Sequence, residues 1–111
     1  MTQDAFGERC TAALRAIKSL YGKPEGEFGP TLFVSHHLEE VEGAYWLRTL
    51  GVARPTPNQV LNALVLIKSW SSDGGDNIDV FDFGLPNNAS NYVLAVRFQD
   101  DGALADVSME S

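Results

Sequence analysis

Along the first two-thirds of the chain, hydrophobic residues recur at helical spacing; toward the C-terminus they alternate. Phe6, Cys10, Ala13, Leu14, Ile17 and Tyr21 fall on one face, which predicts an amphipathic helix over residues 3–21. Gly22 stops it, and Pro24 follows. Residues 22–30 carry three glycines and two prolines and read as loop. The apolar run Leu32-Phe33-Val34 suits either a short strand or the lead-in to a helix. Ser35 is placed to cap a second helix, with Leu38, Val41, Tyr45 and Leu47 as its buried stripe and Glu39, Glu40 and Glu42 in its first turns. Gly43 weakens that helix and Gly51 ends it. The clearest local signal is Thr56-Pro57-Asn58-Gln59: an N-cap, a proline at the first helical position and the far member of a capping box. A third helix is predicted over residues 57–70, with Val60, Leu61, Leu64, Ile67 and Trp70 inward and Val65 and Leu66 widening the apolar face.

After the polar turn 71–77 the period becomes two. Strands are predicted over 78–85, 91–98 and 103–109, with a hairpin signal at Asp100-Asp101-Gly102. Phe81, Phe83 and Leu85 share one face, as do Tyr92, Leu94, Val96 and Phe98, and Ala103, Ala105, Val107 and Met109. Asp82, Arg97, Asp106, Ser108 and Glu110 take the other. The expected architecture is a single α+β domain over residues 1–111. Three helices pack on one face of a C-terminal three-stranded antiparallel meander, and a short extra strand near 32–34 stays open.

Charge changes this picture. Residues 1–70 hold seven acids and seven bases, whereas residues 71–111 hold eight acids against Arg97 alone, which is the whole net charge of −7. A one-sided negative field disfavours nucleic acid and anionic membranes and favours a basic protein surface or a cation. The lone Cys10 excludes an internal disulfide and suits a small buried hydrophobe. The N-terminus lacks an apolar leader and no run is long enough to span a bilayer, so a cytoplasmic protein is expected.

Two clusters could carry chemistry. His36, His37 and Glu40 could share a helix face as metal ligands do, but the His-Glu-x-x-His spacing is absent and a third distant ligand is required. Asp73, Asp76 and Asp79 flank a glycine pair as in a calcium loop, but their spacing is not that of an EF-hand and the closing Glu is missing. No nucleophile elbow and no phosphate-cradling loop occurs. Asn88-Ala89-Ser90 matches a glycosylation sequon, which here means a polar loop. Tyr45, Trp46 and Trp70 read as core anchors, and Arg97 as the cross-strand partner of Asp82 or Asp106.

Six stretches together resemble a small bacterial family of uncharacterised single-domain proteins. They are His37-Leu38-Glu39-Glu40, Tyr45-Trp46 before Leu50-Gly51, Thr56-Pro57-Asn58-Gln59-Val60-Leu61, Asp82-Phe83-Gly84-Leu85-Pro86, Asn91-Tyr92-Val93 and Ser108-Met109-Glu110-Ser111. The likeness covers residues 36–111. In type, such small acidic proteins are similar to immunity proteins that neutralise polymorphic bacterial toxins. The expectation is a cofactor-free, non-enzymatic protein that occludes a basic toxin or partner surface, with Asp73, Asp76, Asp79, Asp100 and Asp101 as contacts. A metal-dependent enzyme using His36, His37 and Glu40, and a self-associating module pairing at a sheet edge as a weak homodimer, are the alternatives.

Overall fold

A computed structural model describes all residues, 1–111. Helix α1, Gln3–Leu20, forms as its pattern requires. The Thr2 hydroxyl accepts the Ala5 N–H, Asp4 sits in the first turn and Lys18 in the last, each opposing the nearby helix pole. Ala13 and Ile17 are fully buried, and Phe6, Cys10 and Leu14 pack beside them.

Residues 32–34 are helical, not a strand. Helix α2 spans Pro30–Glu40, opened by Pro30 rather than capped by Ser35. Gly29 precedes it, and a Cβ there would lie 2.7 Å from the Val107 carbonyl oxygen, so only glycine lets the chain enter this close to the sheet. Phe33, Val34 and His37 face inward. The predicted second helix is therefore two: the backbone turns extended at Val41 and Glu42, and α3, Gly43–Leu50, begins afresh. Gly43 starts a helix instead of weakening one. Gly51, at φ 77°, ends α3 as expected.

The capping box is present in both halves. The Gln59 N–H donates to the Thr56 hydroxyl at 3.2 Å, and the Thr56 N–H donates to Gln59 Oε1 at 2.8 Å. Helix α4 nonetheless stops early, at Pro57–Asn62. Val65–Trp70 is not its continuation but a strand, β1. Strands β2 (Val80–Gly84), β3 (Val93–Phe98) and β4 (Leu104–Glu110) follow, and the sheet is a four-stranded antiparallel meander in the order β1-β2-β3-β4. The fold is thus α+β, with four α-helices and one strand more than the sequence pattern predicts.

Sheet faces follow the alternation except at the start of β4, where a bulge sets Leu104 opposite Phe98 and leaves Ala103 and Ala105, expected on the inner face, exposed. Phe81, Phe83, Leu94, Val96, Phe98 and Val107 join Phe33, Trp46, Val60 and Leu61 in one core between sheet and helices. The outer face carries Arg97, which holds Asp106 at 3.1 Å and Glu110 at 3.6 Å. Asp82 lies on this face too but is not ion-paired. One of its oxygens is buried without a partner, and that burial raises its pKa despite the attraction of Arg97 and Lys68. The two sheet edges differ. Along β4, the Met109 N–H donates to the Phe28 carbonyl at 3.1 Å, so the segment leading into α2 covers part of that edge. The β1 edge pairs with nothing, and Val65, Leu66 and Ile67 are 41%, 37% and 54% exposed. No helix is long and apolar enough to cross a membrane.

Candidate functional site

Meander topology decides where the acids go. The 71–79 connection and the 99–103 hairpin both leave the same end of the sheet, because β1 and β3 run one way and β2 and β4 the other. Asp73, Asp76, Asp79, Asp100 and Asp101 are therefore brought to one end. The two loops touch: the Phe98 N–H donates to the Asp79 carbonyl at 2.9 Å. Arg9, from α1, donates to the Ile78 carbonyl at 2.7 Å and lies over the Phe98 ring. The N-terminal ammonium donates to the Asp76 carbonyl at 3.2 Å. None of the five carboxylates takes part in an ion pair; the protein's two ion pairs both belong to Arg97.

The five are not equivalent. Asp73 accepts the Ser71 hydroxyl at 2.6 Å and the Gly75 N–H at 2.8 Å, and these bonds hold its pKa below the usual carboxylate value. Asp79 accepts both the hydroxyl and the N–H of Ser72, with the same consequence. Asp101 accepts the Ala103 N–H at 2.9 Å and shapes the hairpin. The side chains of Asp76 and Asp100 make no such bond and are exposed. Asp76 rims a cleft of about 620 Å³ floored by Phe6 and Ile78. An apolar floor under a carboxylate suits the aliphatic stem and charged head of a lysine or arginine.

The opposite end of the sheet holds an arrangement the sequence does not announce. His37 is fully buried. Its Nδ1 lies 2.7 Å from the Phe33 carbonyl, which can only accept, so Nδ1 carries the proton. Nε2 is then the acceptor and takes the Ser90 hydroxyl at 2.6 Å. Burial lowers the His37 pKa, and the neighbouring His36 lowers it further, against the opposing pull of the Phe33 carbonyl. The imidazole is neutral near pH 7. The Ser90 oxygen also accepts the Tyr92 N–H at 3.1 Å. His36 stands edge-on to Tyr92 with ring centroids 4.7 Å apart. Next to Ser90, Asn87 and Asn88 both have positive φ, 60° and 54°, an uncommon conformation for residues other than glycine. Ser90, Tyr45, Arg48 and these asparagines line a cleft of about 370 Å³.

No protein family, curated protein or solved structure matches the chain. The site therefore rests on its own geometry. That geometry gives the metal reading little to work with. Both His37 ring nitrogens are engaged, and no three His, Cys, Asp or Glu side chains are grouped to hold an ion. Tyr45 and Trp46 are buried core residues, as expected of core anchors; Leu47, expected on the buried stripe, is 57% exposed because α3 starts afresh at Gly43 and turns Trp46 inward instead, and Trp70 is half-buried on the outer face with Lys68 Nζ 5.0 Å from its ring centroid. Sequence reasoning missed Ser90, Arg48 and the two asparagines. The one available signal was that a histidine on the buried stripe of a helix must find two hydrogen-bond partners.

Proposed function

We propose that the protein is an acidic docking protein that binds a basic protein surface through the end of its sheet and blocks that surface by occupying it. What supports this is the gathering of Asp73, Asp76, Asp79, Asp100 and Asp101 at one end without a single internal ion pair. Paired carboxylates would already have spent their field on the protein's own cations. Unpaired ones attract a cationic partner over roughly a Debye length, about 8 Å in physiological salt, and raise its association rate. Hydrogen bonds from Ser71 and Gly75 to Asp73, and from Ser72 to Asp79, lower the pKa values of these two carboxylates and favour their charged form. By analogy of type with small acidic immunity proteins, and not by any residue match, a toxin with a basic cleft, met in the cytoplasm, is the partner class of choice. Occlusion needs no chemistry at this end.

The test uses a defined probe. Titration with hexalysine should shift the amide resonances of residues 74–79 and 100–102, and hexaglutamate should not. Asp76→Lys with Asp100→Lys should weaken hexalysine binding about tenfold at low salt, as two lost rim attractions predict, and flatten its salt dependence. These two side chains are chosen because they hold no turn together. Unchanged affinity and salt dependence in a folded double variant would remove the reading.

A second reading rests on the bare β1 edge. An edge strand with three exposed apolar residues is a template for another strand, and a second copy can supply it. Antiparallel pairing of β1 with β1 would send the two acidic ends in opposite directions. Light scattering should then show a dimer forming at about 100 μM and above, since one strand pair makes an interface below the usual size. Ile67→Lys should abolish it. A wild-type protein monomeric at about 1 mM would exclude it.

A further inference from the structure

We propose that Ser90 is a nucleophile activated by His37, able to take an acyl group from a small ester bound in the cleft beside it. This site lies at the opposite end of the sheet from the acidic loops and stands independently of the docking reading.

Four observations meet at Ser90. The first is the hydroxyl–imidazole distance of 2.6 Å, within reach of direct proton transfer. The second is the state of the base. A carbonyl fixed on α2 holds the Nδ1 proton, which leaves the Nε2 lone pair aimed at the hydroxyl. In a Ser-His-Asp triad a carboxylate plays this orienting part; here the Phe33 carbonyl does, without the charge. Third, Ser90 is only partly buried and borders a cleft of the surface. Arg48, Asn87 and Asn88 line that cleft together with Glu40 and Glu42, so donors suited to a developing oxyanion stand on the same rim as two carboxylates, which favours a neutral ester over an anionic one. Fourth, two consecutive asparagines in the left-handed region, which asparagine tolerates better than other non-glycine residues, fold the loop beside Ser90 against that cleft. A purely structural role for His37 would need its two hydrogen bonds. It would not need the cleft beside it.

The step balances with water as the only co-reactant. Ser90 Oγ forms a bond to the ester carbonyl carbon while Nε2 takes the hydroxyl proton. The carbon–alkoxide bond then breaks, and the alkoxide leaves with that proton as an alcohol. Water, losing its proton to Nε2, attacks the acyl-serine and releases the carboxylic acid and the free hydroxyl. Without a carboxylate behind His37 the buried imidazolium is poorly stabilised. Acylation is therefore slow, and the acyl-enzyme is the species to look for.

The experiment treats the folded protein with a fluorophosphonate, a probe for activated serines, and locates the adduct by intact mass and peptide mapping. A single adduct at Ser90 is expected, formed faster as pH rises through the His37 titration. It should be absent in Ser90→Ala and at least tenfold slower in His37→Gln. Because His37→Gln could unfold the core, Ser90→Cys supplies a second arm. In a Cys10→Ala background its thiol should react with iodoacetamide at least tenfold faster than the thiol introduced by Ser35→Cys at an exposed position. No adduct at Ser90 in folded wild type overturns the proposal. So does labelling spread over several serines, a rate indifferent to His37→Gln in a folded variant, or a Ser90→Cys thiol no faster than the control.

Discussion

Phe81→Ala should lower the unfolding free energy by about 3–5 kcal/mol, the largest loss expected from any single truncation in this chain. Phe81 is fully buried on β2, where it pairs with Ser69 on one side and Val96 on the other. Its ring lies 5.5 Å from that of Phe6 and 5.7 Å from that of Phe98, nearly perpendicular to the latter. It therefore joins α1, β2 and β3, and deleting it opens a cavity that no single element can close. Aromatic contacts of this kind add about 0.5–1.5 kcal/mol beyond area burial, which places the loss in the upper part of the range. Domains of this size are stable by only about 5–15 kcal/mol, so the variant would be close to unfolding at physiological temperature. The midpoint should fall by about 12–20 °C. Urea denaturation followed by far-UV circular dichroism measures it. Ile67→Ala, at a residue 54% exposed, is the control and should change stability by less than about 0.5 kcal/mol. A loss under about 1 kcal/mol for Phe81→Ala would mean that the helices are not docked on this face.

That core was legible from the alternation of the last third of the sequence, because β2 and β3 turn their large apolar side chains to one face, although Val80 and Ala95 are buried on the other as well. The acidic end was legible for the same reason. Antiparallel pairing of 78–85 with 91–98 puts the turn before the first and the hairpin after the second at one end of the sheet, although the chain entering that turn reads as a helix and not as β1. Local chemistry also sufficed where the signal is local, as at the Thr56–Gln59 capping box.

The failures have physical causes. Val60, Leu61, Leu64, Ile67 and Trp70 satisfy a helical stripe, yet β1 begins at Val65. A short apolar run rich in β-branched residues fits both periods, and no glycine marks the boundary. The apolar character of 65–67 also suggested burial, whereas an edge strand leaves those side chains out in solvent. Residues 32–34 are helical because Pro30 starts the helix. That start in turn depends on Gly29 passing against Val107, a contact seventy-eight residues away that no local window contains. His37 and Ser90 are likewise separated by fifty-three residues. Their pairing arises from docking α2 against the β2–β3 connection, and the sequon-like Asn88-Ala89-Ser90 gave no hint of it.

The same histidine sets the second large effect, on pH. Its native pKa is lowered by burial, while in the unfolded chain it returns to about 6.5. Above that value neither state holds the proton. Below it the unfolded chain binds a proton that the native protein refuses, so stability falls as pH falls, by at most about 1.4 kcal/mol per pH unit for one such group. The loss levels off once pH drops below the lowered native pKa and both states are protonated. Asp73 and Asp79 act in a separate window. Their native pKa values are lowered, so their contribution is complete above the ordinary aspartate value near 3.8 and disappears only as pH falls through the lowered ones. Urea unfolding between pH 7.5 and 5 should therefore show a decline that His37→Gln removes and that His36→Gln only lessens, since burial is the larger cause. A pH-independent wild type over that interval would mean that His37 accepts a proton in place. Protonated Nε2 could then no longer accept the Ser90 hydroxyl, and the bond that ties α2 to the β2–β3 connection would have to reverse its direction at no cost in stability.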